Sequence, residues 1–292
     1  MSLSGLAQIN LELSSRCDKT HLCRMCGHQD ETINPDLQYG DMDYGLLKDI
    51  RSQLEPGVVI AFHRDGEPTA YPRLGEALRL FEGFTTSLVT HGLNLAKKAA
   101  QIIQNCTTVT ISVFRADADS MAQFKSVQSF MAVKGDRAPQ VQVKVVGDMS
   151  EEELAPWRAL GVRVIRRLIH VPTGNDRYAH RTPTVPEVGT CLDFLHHPSV
   201  SWEGDVFICN RLDPHHGGYL GSLRSESLDQ IWNGDTRQRW LRAHQLGRRD
   251  LAAPLCKDCT FWGVPSGAQP QIVTAKEIMD HAVAMQLIQL DA

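Results

Sequence analysis

The sequence predicts an α/β protein, a partial (β/α)6 TIM-like barrel followed by a small module of β-hairpin and helix. Three observations carry this. Apolar or alternating runs between Ala7 and Ile169 are separated by segments with helical spacing, in six strand–helix alternations or nearly so. Strands that alternate with helices pair in parallel through right-handed crossovers. Beyond them, Pro172–Gly189 is rich in Pro, Gly, Asn and Thr and reads as a linker, after which the strand pattern becomes short and hairpin-like.

Taken in order, Ala7–Leu13 alternates apolar and polar residues and reads as the first strand. Tyr44–Leu54 has helical spacing, and Val58–His63 is a continuous apolar run of the kind buried on both faces of a parallel sheet. Leu74–Phe81 is helical, Ser87–Thr90 a strand, Ala96–Asn105 helical and Thr108–Phe114 a strand. Ser120–Val133 then reads as helix, Val141–Val146 as strand, Glu151–Leu160 as helix and Val162–Ile169 as strand. In the second part, Val200–Cys209 predicts a tight hairpin turning at Glu203-Gly204-Asp205. Gly221-Ser222-Leu223 predicts a turn into an amphipathic helix at Ser227–Trp232, and Ala275–Leu290 a packing helix. The expected division is therefore a barrel over 1–180, a small module over 181–265 and a C-terminal helix over 266–292.

Composition sets bounds on function. The 292 residues are 42% apolar and 22% charged, as in a globular protein with a substantial core. A formal net charge of −4 argues against general nucleic-acid binding, which calls for a basic surface. The basic runs Arg163–Arg167 and Arg237–Arg249 read as solvated faces. There is no run of eighteen apolar residues and no basic-then-apolar N-terminus, so the expectation is a cytoplasmic protein with reduced thiols and no membrane partner.

Seven of the eight cysteines fall into two sets. Cys17, Cys23 and Cys26 lie on one short loop after the first strand, with five and then two residues between them. Three thiols alone do not close a structural zinc site, which is four-coordinate. Cys191 is followed by twelve residues, Gly204, four residues and Cys209, and later by Cys256-Lys257-Asp258-Cys259. That quartet is open to a second metal centre, with zinc and disulfides as its alternatives.

The cysteine triplet resembles the cluster loop of the radical S-adenosylmethionine (SAM) superfamily, in a five-then-two variant of the usual three-then-two spacing. The distant quartet resembles the twitch module, the short form of the SPASM domain in those enzymes. The resemblance implies a [4Fe–4S] cluster on Cys17, Cys23 and Cys26 with one open iron for SAM. It also implies an auxiliary [4Fe–4S] cluster fully ligated by Cys191, Cys209, Cys256 and Cys259. Asp65-Gly66-Glu67-Pro68 is similar to the family's Gly-Gly-Glu-Pro segment, whose backbone and carboxylate hold the SAM ammonium group. Met25 stands where the family often has an aromatic residue on the adenine. Thr90-His91-Gly92 is similar to Thr-Asn-Gly, and Ser112 and Lys144 stand where the family contacts the SAM ribose and carboxylate.

The implied activity is reductive cleavage of SAM to a 5′-deoxyadenosyl radical that takes a hydrogen atom from a small polar substrate, with flavodoxin or ferredoxin as a low-potential electron donor. A carbohydrate, aminocyclitol or nucleoside is expected, undergoing oxidation, epimerisation or isomerisation. A peptide-modifying maturase and a non-catalytic metal-binding scaffold are the alternatives. Arg166, Arg167, His170, Asn175 and Arg177, at or after the sixth strand, are candidates for binding substrate, and Arg167 and His170 are weak catalytic candidates. Cys106, the remaining thiol, reads as a core residue, its sharper alternative being a hydrogen-atom donor. The pairs His196/His197 and His215/His216 read as surface or supporting groups.

Overall fold

A computed structural model describes residues 3, 5–19, 38–114, 119–146, 149–167, 190–257 and 259 of the chain. Its frame is one open sheet. Six strands come from the first part: β1 (Gln8–Leu11), β2 (Val59–Phe62), β3 (Thr86–Thr90), β4 (Thr108–Phe114), β5 (Gln140–Val146) and β6 (Arg163–Arg167). Between them lie α1 (Tyr44–Ser52), α2 (Leu74–Leu80), α3 (Leu95–Ile102), α4 (Ser120–Lys134) and α5 (Glu151–Ala159). All neighbouring pairs from β1 to β6 are parallel, as the alternation of strands and helices requires.

The element starts have local causes. The Asp43 carboxylate accepts the Leu46 N–H at 3.0 Å and caps α1. Ser150 and Glu153 form a reciprocal capping box at α5. The apolar strand Val59–Phe62 and the buried helix residues Leu46, Leu47, Ile50, Leu74 and Leu78 belong to the same main core. Gln123 on α4 donates to His91 O at 2.7 Å and to Ser112 O at 2.8 Å, so one helix side chain holds the ends of β3 and β4 together.

The sheet does not end at β1. Its order is β6-β5-β4-β3-β2-β1-β7-β8-β9, where β7 is Ser199–Val200, β8 Asp205–Phe207 and β9 Tyr219–Ser222. β7 pairs in parallel with β1, and β8 and β9 follow antiparallel. The hairpin thus extends the first sheet and shares its core through Val200, Val206, Leu228 and Trp232. Helices α6 (Leu192–His196), α7 (Leu228–Trp232), α8 (Asp235–Gln245) and α9 (Pro254–Lys257) complete the second part. The N–H of Leu228 at the start of α7 donates to Gln53 Oε1 beside α1, a further tie between the parts.

Three expectations are corrected. The hairpin turn is tight, as expected, but lies earlier than Glu-Gly-Asp: Gly204 N donates to Ser201 O at 2.9 Å and Ser201 N to Asp205 O at 2.8 Å, Gly204 takes φ +100°, and Asp205 already belongs to β8. Gly221 and Ser222 are in β9 and not in a turn, because the missing side chain at 221 admits Ile231 of α7, 3.0 Å from where a Cβ would stand. Arg237 is no solvated residue: it is buried, 3.4 Å above the Trp232 ring, and donates to Trp232 O and Leu195 O. Burial lowers its pKa to about 10. The linker over 172–189 and the helix expected over 275–290 lie outside the described residues. Among the described residues, no helix is long and apolar enough to cross a membrane.

Candidate functional site

The C-terminal ends of β1, β2 and β3 converge. Ligands of α/β sheets bind at this end, because the connecting loops open there. Cys17 lies beyond β1, Gly66 beyond β2 and His91 directly after β3. Cys23 and Cys26 lie outside the described residues. The base of their loop is fastened where the chain returns: Gly40 N donates to Ser15 Oγ at 2.8 Å, and Met42 N to Leu13 O at 2.8 Å.

The segment Asp65–Pro68 packs directly on the cysteine strand. A Cβ on Gly66 would stand 2.0 Å from Ser14 O and 2.6 Å from Ser15 Cα, so only glycine fits. Glu67 N donates to Arg16 O at 2.9 Å, and both Asp65 N and Gly66 N donate to Glu12 Oε1 at 3.3 Å. Pro68 opens a 3-10 turn, Pro68–Ala70, where its missing N–H costs no hydrogen bond.

The Glu67 carboxylate, which the family resemblance directs toward an ammonium group, is engaged within the protein. It accepts Thr69 N at 2.9 Å, Thr69 Oγ1 at 2.6 Å, Thr90 Oγ1 at 2.7 Å and His91 N at 2.9 Å, and it is buried. Its visible role is to lock the β2 loop onto the end of β3. Thr90 works with it, since its hydroxyl also accepts Gly92 N at 3.0 Å.

His91 ties this lock to the cysteine loop. Its Nε2 lies 2.7 Å from Asp18 Oδ1, and ligand atoms of Cys17, Asp18 and His91 all lie within 4.8 Å of one another. Leu93 N donates to Nδ1 at 3.1 Å, so in the neutral ring the proton is on Nε2, toward Asp18. Burial opposes a charge on His91, but the Glu67 carboxylate and the Asp18 and Cys17 contacts raise its pKa above the ordinary histidine value. The His91 hydrogen bond in turn holds the Asp18 carboxyl well below the usual carboxylate range. The motif Thr90-His91-Gly92 was visible in the sequence, but nothing in it signalled the contact of the His91 ring with Asp18.

Ser112 on β4 and Lys144 on β5 are register partners, both half-buried. Arg167 ends β6, and His170, Asn175 and Arg177 lie outside the described residues. Arg166 is turned to α5, where it meets Glu151 at 2.7 Å and Met149 O at 2.8 Å. Cys106 is set apart from this end. It precedes β4 on the N-terminal side of the sheet, buried, with Sγ 3.1 Å from Thr108 O, and burial pushes its thiol pKa up. It packs in the core, at the opposite end of the sheet from Cys17 and His91.

The second cysteine set is built into its own small core. Cys209 and Cys256 are buried with Phe194, Ile208, Ala243, Ala252 and Ala253, and Cys191 packs against them. Cys191 N donates to His244 Nδ1 at 3.3 Å, and the His244 ring stacks on Phe194 at 4.3 Å. Cys256 and Cys259 sit on one turn, where Cys259 N donates to Cys256 O. Burial drives the Cys209 thiol well above its ordinary pKa, a cost that coordination to a metal removes by deprotonating it.

Arg211, two residues beyond Cys209, is bound to the buried Asp193 at 3.0 Å. Burial opposes its charge, but Asp193 and then Cys209, Cys259 and Cys191 raise its pKa. Asp193 also takes His197 at 3.1 Å, while His196 meets Gly5 O at 2.6 Å.

None of the six described cysteines is in a disulfide, which removes that alternative for them.

Comparison with known proteins agrees. Residues 191–260 match the model of SPASM, an iron–sulfur cluster-binding domain. Among solved structures, BtrN in complex with AdoMet and 2-DOIA is similar at 18% identity and TM-score 0.57, over 87% of this chain and 92% of that one. Native anSMEcpe with bound AdoMet is similar at 14% and 0.57, over 96% and 98% of the two chains. SuiB of Streptococcus suis bound to S-adenosylmethionine is similar at 14% and 0.53, over 87% and 72%. No curated protein matches in sequence. The chain thus has the partial-barrel fold of radical SAM proteins. Its second part, after the sixth strand, is the part that matches the iron–sulfur cluster-binding domain.

Proposed function

We propose that the protein is a radical SAM enzyme acting on a small polar substrate. The observation that carries this reading is the packing of Cys17, Gly66–Pro68 and His91 at one end of the sheet, next to a cluster module joined edge-on to β1. When bound, the N-terminal cluster supplies the electron that splits SAM into methionine and a 5′-deoxyadenosyl radical, which takes a hydrogen atom from the substrate.

The residues have distinct parts in this reading. Cys17, Cys23 and Cys26 hold the first cluster, and Cys191, Cys209, Cys256 and Cys259 the auxiliary one. Gly66 and Pro68 shape the backbone that meets the SAM amino group, while Glu67 and Thr90 keep that loop in place and His91 fixes the residue after Cys17. Ser112 and Lys144 are assigned to the SAM ribose and carboxylate. Flavodoxin or ferredoxin is the proposed electron donor.

A carbohydrate, aminocyclitol or nucleoside fits the cavity beside Asp65, which holds about 520 Å³, within the range of small-molecule sites. The second reading is peptide modification, supported by the similarity at TM-score 0.50 to SuiB bound to precursor peptide SuiA. The test is anaerobic reconstitution followed by SAM and dithionite. Release of 5′-deoxyadenosine that Cys17→Ala abolishes supports the enzyme; metal binding with no SAM cleavage supports the scaffold instead.

A further inference from the structure

β3 and β4 stay in register up to Thr90 and Ile111, and β3 ends there. The next residues, His91 and Ser112, are joined by a side chain of α4 instead: Gln123 Nε2 donates to His91 O at 2.7 Å and to Ser112 O at 2.8 Å. Gln123 is fully buried. Its orientation follows from these partners, because the flipped amide would set Oε1 against two carbonyl oxygens. As it stands, Oε1 is buried with no hydrogen-bond partner among the described residues. Exchange for an apolar side chain of similar length removes this unused acceptor along with the used donor, two effects of opposite sign on stability.

The reach of Gln123 depends on Gly92. This residue takes φ +82°, and a Cβ on it would stand 3.0 Å from Ile111 Cγ2 and 3.3 Å from Val127 Cγ2. The missing side chain lets α4 close on the strand ends, and the same contacts put Ile111 on the α4 side of the sheet. By alternation the Ser112 side chain faces the other way, so Gln123 grips the strand backbone from behind.

His91 is thereby fixed from both sides. Its N–H is held by the Glu67 carboxylate at 2.9 Å and its carbonyl by Gln123, while its ring meets Asp18, the residue after Cys17. The other arm of the clamp ends at Ser112, whose register partner is Lys144. One side chain therefore sets the span between the anchor of the cysteine loop and the Ser112–Lys144 pair. In the reading above, a single SAM molecule has to bridge that span, from the open iron to its ribose contact. A site whose supporting elements shift loses affinity even when no contacting residue is changed.

We infer that Gln123 is a positioning residue of the SAM site, acting from the helix layer by fixing the separation of His91 and Ser112 without touching the cofactor. The inference rests on the radical SAM reading above. Its test compares two variants with the unaltered, cluster-loaded protein. Gln123→Met keeps the length of the side chain and donates nothing; Phe130→Leu opens a gap in the buried face of the same helix and leaves the clamp intact. SAM affinity by calorimetry, melting temperature and the electron paramagnetic resonance of the reduced protein are read for each. Gln123→Met is expected to bind SAM on the order of tenfold more weakly, the scale of losing an outer partner of a cofactor site, with iron content and the SAM-free signal unchanged. Phe130→Leu is expected to melt earlier and to keep its SAM affinity. Unchanged affinity in Gln123→Met overturns the inference, as does an equal loss of affinity in Phe130→Leu. Gln123→Asn, with its amide one methylene short of the two carbonyls, becomes the deciding variant under the same criterion if Gln123→Met takes up no cluster. Absence of SAM binding by the unaltered protein sinks the radical SAM reading and the clamp with it, whereas equal binding by all forms sinks the clamp alone.

Discussion

Glu12 and Trp202 are 190 residues apart, and the Trp202 N–H donates to the Glu12 carboxylate at 3.2 Å. The same carboxylate holds Asp65 N, Gly66 N and Arg64, so one buried side chain joins the cofactor loop to the iron–sulfur module. Glu12→Ala would leave Arg64 with Asp65 as its remaining carboxylate and strand three N–H groups. Breaking a buried ion pair from one side costs about 3–5 kcal/mol. Denaturant unfolding of the apoprotein is expected to show a loss of this order, and a loss below about 1 kcal/mol would mean that Glu12 is no junction.

Gly66→Ala tests the close approach of the two loops. The added methyl group would stand 2.0 Å from Ser14 O, a backbone atom that cannot swing aside. Overpacking of this kind costs about 1–3 kcal/mol. The expected outcome is lower thermal stability together with weaker SAM binding by calorimetry, whereas unchanged SAM affinity would separate Gly66 from the cofactor site.

Much of this was legible in the sequence, and the failures have physical causes. Strand and helix positions followed from apolar spacing; Thr108–Phe114 is a strand over the residues expected. Spacing says nothing about which edge a later strand joins, so the pairing of Ser199–Val200 with Asn10–Leu11 had no signal. Glu12 stands between buried Leu11 and Leu13, and an acidic residue flanked by core leucines just past a strand was the available hint of its buried role. A motif names Glu67 and not its rotamer, so the donors that its carboxylate accepts, from Thr69, Thr90 and His91, had no signal in the sequence. Arg237 was read as solvated because charge alone does not foretell an indole beneath it.

Tyr71 gives a pH dependence of stability. Its hydroxyl donates to Met42 O at 2.8 Å, and burial pushes its pKa up to about 12. In the unfolded chain tyrosine ionises near pH 10. The folded state therefore keeps a proton that the unfolded state loses between about pH 10 and 12, and stability falls as pH rises through that window. Tyr71→Phe is expected to cost about 1 kcal/mol below pH 10 and to show a shallower decline above it. Parallel alkaline curves for the two apoproteins would refute this.

Arg211 offers a charge control on the auxiliary centre. It follows Cys209 by two residues, is anchored by Asp193, and its charge interacts with Cys209, Cys259 and Cys191. Net charge around an iron–sulfur cluster sets its potential, and a neighbouring cation favours the reduced, more negative form. Arg211→Gln is therefore expected to lower the reduction potential of the auxiliary cluster in a spectroscopic redox titration. A potential that stays put or rises would show that Arg211 only packs the loop.

The account stands on one asymmetry: a cluster with an open iron at Cys17, Cys23 and Cys26, and a fully ligated one at the distant quartet. Electron paramagnetic resonance of two reduced, reconstituted variants measures it directly. With Cys191, Cys209, Cys256 and Cys259 replaced by alanine, the remaining cluster signal is expected to change on adding SAM. With Cys17, Cys23 and Cys26 replaced instead, the signal is expected to stay the same. A quartet cluster that responds to SAM, or a triplet cluster that does not, would contradict the assignment.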